Sequence, residues 1–454
     1  MKLLSAHLND AGLCVLDTEA ILYREPGFAL LEDDDLTTGK AAFASARIRP
    51  RRIQNDFWAK LQTEPLKDRQ FQHLSSADLV SRQLEQMWKA AAHKGDSLVV
   101  AVPAYMSNSN LGLFLGIAAE LDVPVVAMVD AAVAATRREY KDAVPVHIDF
   151  SLHSVILTRM SQAGLAAVDR SEVIEDSGIL DLFDAWRKVI AEAFVQQSRF
   201  DPLHTAQTEQ MLQDRISGWL GVASTSSSVA LEIEFRGVTH QAEIESLALI
   251  AAAAPVYQRI ASNLRALFRA DETPAIQLSD RAARLPGLGD MLVARVGGEV
   301  FLLEAGATAR GLIARCRDMQ KSDSGVSLIK QLPWDQSAVQ VDLSETVSRG
   351  GRPTHILFKN TAYPIDSEAL LLGSQPDQGR WIDLNENMPG VSRRHCAVQQ
   401  ENGQCVMRDF SRYGSFLNGH AIDGSAVLQV GDSIRLGTPG FEFRLITTES
   451  ESGS

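Results

Sequence analysis

Apolar positions follow one rhythm up to about residue 334 and another after about residue 353. In the first region, 97–103 and 123–129 are apolar runs with many β-branched residues, and 111–121 between them carries apolar side chains at helical spacing. Strand, helix and strand at that separation predict a parallel βαβ unit. A further strand over 144–148 leads into Asp149, and a hairpin partner follows at 155–159. From 180 to 220 the pattern turns helical, with Leu180, Leu182, Phe183, Trp186, Val189, Ile190 and Phe194 recurring on one face. Residues 224–228 form a polar break, 229–235 alternate like a strand, and helices are expected again over 244–269.

The second rhythm is shorter. Apolar runs at 397–398, 406–407, 416–417, 426–428 and 441–446 are separated by glycine, asparagine or aspartate turns, which is the spacing of an all-β sandwich. Asn418-Gly419 suits a two-residue hairpin turn. The expected division is a domain over 1–334, a linker over 335–352 with few large apolar groups, and a domain over 353–448. No internal repeat is visible.

Composition narrows the partners. Lys plus Arg number 44 against 57 Asp plus Glu, a net charge of −13, so a nucleic-acid backbone or an anionic membrane is repelled over most of the surface. No nucleic-acid or membrane partner is expected. Cys14, Cys316, Cys396 and Cys405 lack metal-ligand spacing and are too few for a disulfide framework. Reduced thiols, the absence of a signal-peptide pattern at 1–7 and the shortness of the longest apolar run, 247–257, predict a soluble, cytoplasmic protein.

A phosphate ester carries about −1.5 to −2 charge and three acceptor oxygens, so its site needs a hydroxyl or backbone donor beside one or two guanidinium groups. Ser392, Arg393, Arg394 and Arg412 supply these. Ser392-Arg393-Arg394-His395, residues 409–419 (DFSRYGSFLNG) and residues 428–437 (LQVGDSIRLG) together resemble a forkhead-associated (FHA) domain, whose members read phosphothreonine. The resemblance implies that Ser392 donates to the phosphate, Arg393 flanks it and His395 braces the loop from inside, with Tyr413 and Ser415 completing the phosphopeptide-binding set. Two positions depart from the family: Ser374 follows Gly373 where an arginine is usual, with Arg380 the nearest arginine downstream, and Arg412-Tyr413 replaces a threonine-asparagine pair. The plainer reading keeps these turn residues for folding and gives the sandwich an unmodified protein surface to bind.

In the first region Val102-Pro103-Ala104-Tyr105, Val129-Asp130 with its alanine-rich continuation to Ala135, the 229–234 strand, Ile148-Asp149, Arg284-Leu285-Pro286 and 305–311 resemble the nucleotide-binding domain of DnaK-type heat-shock chaperones. The resemblance covers 1–334 and implies a two-lobed α/β actin-like ATPase (ribonuclease H-like) fold. Such folds clamp phosphates with two glycine-rich hairpin turns, because backbone N–H groups approach an anion closely only where no Cβ intervenes. Here the first turn is Ala6-His7-Leu8-Asn9-Asp10-Ala11-Gly12, the second is 149–154 without glycine, and Leu278-Ser279-Asp280-Arg281 replaces a Gly-Gly-Ser turn. Asp149, Asp130, Ser151 and Ser279 are the residues the resemblance would place around ATP and Mg²⁺. His7 and His153, in facing turns, could hold a metal or a phosphate, or be solvated surface residues. No chaperone-type peptide-binding domain follows.

The leading expectation is therefore a non-catalytic signalling adaptor: a pseudo-ATPase module serving as a docking surface, joined to a sandwich that binds a threonine-phosphorylated partner in a Ser/Thr kinase pathway. Alternatives are a divergent ATP-binding protein whose nucleotide state controls the FHA region, and a structural protein whose two modules bind unmodified surfaces.

Overall fold

The structure is a computed structural model that describes residues 2–18, 20–32, 35–140, 142–224, 226–315, 326–335, 352–358, 361–375, 379–384, 391–401, 403–412, 414–418, 420–422, 424–437 and 441–446. The chain divides into two compact units, Met1–Trp334 and Asp335–Ser454. Residues 336–351, most of the expected linker, lie outside the described residues, as do Tyr413 and Cys316.

The larger unit is built on two sheets. In the first, β1 (Leu3–His7), β2 (Leu13–Leu16) and β3 (Ile21–Glu25) form an antiparallel meander, and β4 (Ser97–Val102) and β5 (Val125–Asp130) add in parallel on the other side of β1. In the second, β6 (Val144–Phe150), β7 (Ser154–Ser161) and β8 (Ala166–Glu175) form the meander, and β9 (Pro274–Leu278) and β10 (Glu299–Leu302) add in parallel beside β6. The two sheets thus repeat one strand order, a duplication that the residue pattern does not display. All six residues of β4 are buried, as expected of a central parallel strand covered on both faces.

Helix α1 (Asn108–Glu120) makes the crossover between β4 and β5, held at its start by a reciprocal Ser107/Asn110 capping box. The helical stretch expected over 180–220 is two helices, α2 (Ile179–Ser198) and α3 (Ala206–Ala223), separated at Arg199, whose φ of 57° ends the first. Trp186, Phe194, Leu212, Ile216 and Trp219 bury one face of this pair. The 244–269 expectation is corrected at its start: Val238–Glu245 pairs with Ser228–Phe235 as a hairpin, and α4 (Ser246–Arg265) begins only after it. The hairpin turns at Arg236 and Gly237, whose φ angles of 53° and 76° match the twist of the flanking strands.

Helix α5 (Ala307–Ala314) packs against the short helix 131–135 that follows β5. A Cβ at Gly311 would lie 1.9 Å from the Ala134 carbonyl oxygen, so glycine alone permits the approach. Arg315, fully buried, donates to the carbonyls of Val133 (2.8 Å) and Thr136 (3.1 Å) at the end of that short helix. Beyond it, the chain forms a strap: Leu328–Ile329 adds in parallel to β5, and Gln331–Leu332 adds antiparallel to β8, so five residues join an edge of each sheet.

The second unit is an all-β sandwich. One sheet runs in the order Thr361–Pro364, His355–Phe358, Phe441–Ile446, Ser433–Leu436, Ser415–Leu417, His420–Ala421; the other runs Arg380–Asp383, Leu370–Gly373, Cys396–Glu401, Gln404–Asp409, Ser425–Leu428. Ile356, Leu372, Val398, Met407, Ile434, Phe443 and Leu445 fill the space between them. Leu417 pairs with His420 and Asn418 stands at φ 50°, while Gly419 of the expected turn lies outside the described residues.

Candidate functional site

The sandwich loops that carry Ser392 and Arg412 extend a strand ladder. Cys396 pairs with Asp409 at its end; beyond it the Phe410 N–H donates to the His395 carbonyl (2.8 Å), and the Arg412 N–H donates to Ser392 Oγ (3.2 Å). Because the hydroxyl oxygen accepts this bond, the Ser392 proton remains free for a ligand.

His395 sets the shape of the loop. It is buried, its Nδ1 accepts the Ser392 N–H at 3.0 Å, and its Nε2 lies 3.3 Å from the Gly414 carbonyl. The proton is therefore on Nε2 and the ring is neutral. Burial lowers its pKa, opposed by the Gly414 carbonyl and Asp409. Gly373 lies against the same loop: a Cβ there would stand 2.1 Å from the Arg393 carbonyl oxygen, while the N–H groups of Ser374 and Gln375 donate to the carbonyls of Ser392 and Arg393 (both 3.2 Å).

Arg393, Arg394 and Arg412 are exposed, and none of the three makes an ion pair or side-chain hydrogen bond among the described residues. Arg380 pairs with Asp366 and donates to the Pro364 and Glu368 carbonyls, and Arg408 pairs with Glu401, so neither reaches this loop cluster as a free cation. Ser415 is set apart from the cluster: fully buried, it donates through Oγ (2.9 Å) and N–H (3.3 Å) to Asp409. Its hydroxyl is committed to holding the turn. Sequence reasoning missed Phe410, 46% exposed with the Arg394 guanidinium 4.7 Å above its ring, and Ser411, whose buried Oγ has no partner. Only the exposed aromatic beside a run of arginines could have signalled the first.

The turns of the larger unit hold a different arrangement. Asp149, near the end of β6, is buried; its Oδ2 accepts from Asn9 Nδ2 (2.7 Å) and its Oδ1 from the Phe150 N–H (2.9 Å). Arg281 Nη1 lies 3.1 Å from both carboxylate oxygens, and Nη2 donates to the Gly12 carbonyl (3.3 Å). Burial alone would raise the Asp149 pKa, but Arg281, then His7 and His147, with a hydrogen bond from Ser279, hold it below the usual carboxylate range. The same guanidinium is itself held charged: burial opposes it, and Asp149 and Asp280 outweigh that. Asp280 in turn pairs with Arg24 on β3 and with Arg284.

The other residues expected around a nucleotide do not gather with Asp149 and Ser279. Asp130 caps the short helix 131–135, accepting from the N–H groups of Ala132 (2.9 Å) and Val133 (3.3 Å). Ser151 closes its own turn through Ser154 (Oγ to Oγ, 2.8 Å). His7 and His153 do not share a ligand: His7 Nε2 is buried 3.6 Å from Asp149 without a hydrogen bond, and His153 Nε2 lies 3.2 Å from Asn55. No cluster of three potential metal-binding side chains occurs among the described residues. Asp10 is fully buried, with Oδ1 accepting the Leu152 N–H (2.8 Å) and Oδ2 unpartnered; burial pushes its pKa up to about 6. Beside Arg281, between His7, Arg24, Asp280 and Thr308, the remaining cavity is about 20 Å³, room for one water.

Residues 371–437 match the family model of the FHA domain. The sandwich thus carries an FHA domain, a family of phosphothreonine-binding signalling modules whose members bind phosphorylated proteins. No curated protein matches the chain. No helix among the described residues is long and apolar enough to cross a membrane.

Proposed function

We propose that the protein is a non-catalytic adaptor that binds a threonine-phosphorylated partner from a Ser/Thr kinase pathway through its FHA domain, and that the larger unit is an actin-like module serving as a docking surface. The observation that carries the first half is the Ser392 hydroxyl, whose proton is free, beside the exposed guanidinium groups of Arg393 on its own loop and Arg412 on the facing loop, in a chain of net negative charge. Ser392 would donate to the phosphate, with Arg393 and Arg412 neutralising it in charge-assisted bonds. Arg412 stands in for the arginine that Ser374 replaces.

The repeated strand order of the two sheets supports an actin-like ATPase fold. Within that fold the space between the two hairpin turns is filled from inside. Arg281 puts a cation where Mg²⁺ and a triphosphate would need to sit, and a cavity of about 20 Å³ is far below the roughly 300 Å³ at which ligand pockets begin. An ATP-controlled protein would need Arg281 to leave Asp149.

Calorimetric titration of the full chain with Mg²⁺-ATP, and separately with a phosphothreonine peptide library and its unphosphorylated twin, tests both halves. Heat from the phosphopeptides alone is expected. Micromolar ATP binding with turnover sinks the pseudo-ATPase half, and equal capture of both peptide forms sinks the adaptor half.

A further inference from the structure

Phe410 is one of the few large apolar side chains left in solvent, 46% exposed, although its backbone is fixed by the bond to the His395 carbonyl. Its ring is a shelf for Arg394, whose guanidinium carbon lies 4.7 Å from the centroid and whose donors meet no partner among the described residues. A cation–π contact of this exposed kind is worth about 0.5–1 kcal/mol, enough to restrict a side chain that would otherwise sweep through solvent. A guanidinium so held keeps its planar N–H fork available, the geometry that pairs with a carboxylate or phosphate.

The position relative to Ser392 gives this meaning. Ser392 opposes Arg412, and two residues along the same pair of loops Arg394 opposes Phe410. Two residues of chain span at most about 7 Å, which is also the distance between alternate side chains of an extended peptide.

We infer that the Arg394–Phe410 pair is a second subsite, selecting an anionic side chain within two positions of the phosphothreonine. The inference rests on the phosphothreonine reading above and adds a sequence preference to it. Arg394 would act as a specificity residue, separate from the phosphate contacts of Ser392, Arg393 and Arg412.

The test is fluorescence anisotropy of the full chain with four peptides: phosphothreonine flanked by alanine, the same with glutamate at the two neighbouring positions on each side, the same with phosphoserine there, and the unphosphorylated glutamate peptide. Wild type should bind the glutamate phosphopeptide about tenfold more tightly than the alanine one, the factor expected of one good charge-assisted pair. Arg394→Ala and Phe410→Ala should lose that factor, binding the glutamate and alanine phosphopeptides equally, and Arg394→Lys should recover only part of it. A larger gain from phosphoserine, also lost in Arg394→Ala, supports the subsite and identifies its anion as phosphate. Equal binding of alanine and glutamate phosphopeptides, or a preference that survives Arg394→Ala, overturns the subsite and leaves the phosphothreonine reading standing. If no phosphopeptide exceeds the unphosphorylated one, both fall. Unfolding midpoints of the variants show whether each remains folded.

Discussion

Arg281 and Asp149 form a buried pair in which one guanidinium nitrogen stands 3.1 Å from both carboxylate oxygens while the other reaches the Gly12 carbonyl on the opposite turn. The contact joins the two sheets at the point where their hairpins face each other, and it makes Arg281 the residue that most strongly conditions the chemistry of the larger unit.

Truncating Arg281 should therefore be costly. Arg281→Ala leaves Asp149 charged and buried without its cation, a loss of about 3–5 kcal/mol in denaturant unfolding. Arg281→Ala with Asp149→Asn should unfold at higher denaturant than Arg281→Ala alone, since the stranded charge is gone. Equal midpoints for the single and double variants would show that the pair does not hold the turns.

His7 and Asp10 should pull the acid stability of this unit in opposite directions. Burial, the largest influence on each, drives His7 down to about 4 from 6.5 and Asp10 up to about 6 from 3.8. The folded state thus prefers His7 neutral, and its contribution is lost as pH falls from 6.5 through 4. It also prefers Asp10 protonated, and that contribution is lost as pH rises from 3.8 through 6. Wild type should change little between pH 4 and 6.5. Asp10→Asn should lose stability on acidification across this window and His7→Gln should gain it, each by about 1–3 kcal/mol in denaturant midpoints read at successive pH values.

In the sandwich, two serines of the expected site should behave differently. Ser392→Ala together with Arg412→Ala should abolish phosphopeptide capture with the unfolding midpoint unchanged. Ser415→Ala should instead destabilise the domain by about 1–3 kcal/mol by leaving Asp409 short of a donor. Circular dichroism melts run beside the capture assay separate the two effects.

Gly373→Ala tests the backing of the Ser392 loop. The new methyl would stand 2.1 Å from the Arg393 carbonyl oxygen, and backbone cannot yield as a side-chain tip can. Destabilisation of about 1–3 kcal/mol with weakened phosphopeptide capture is expected. Capture at wild-type affinity would mean that the loop does not depend on this approach.

Much of the architecture can be read from local pattern. The β-branched runs of β4 and β5 are strands, β4 buried throughout and β5 from Ala127 onward, and the short apolar runs of the sandwich all lie in its sheets. The Val238–Glu245 strand was hidden because its turn is Arg236-Gly237 rather than an asparagine- or aspartate-glycine pair, and because its alternation leads directly into a helix. The duplication of the two sheets escaped because strand order, not residue identity, is what repeats. At the candidate sites, Ser392 and its arginines stand together in the chain. Arg281 could be seen only as a departure from a glycine turn: its bond to Gly12 spans 269 positions, and no local rule joins residues so far apart.

The strap over residues 328–332 has a mechanical consequence. One end is sewn to β5 and the other to β8, just before Trp334 closes the larger unit. Tension applied to the chain from beyond that point meets the Gln331–Leu332 ladder on β8 first and the Leu328–Ile329 ladder on β5 after it. A tug on the chain would therefore free the second sheet's edge before it reached the first.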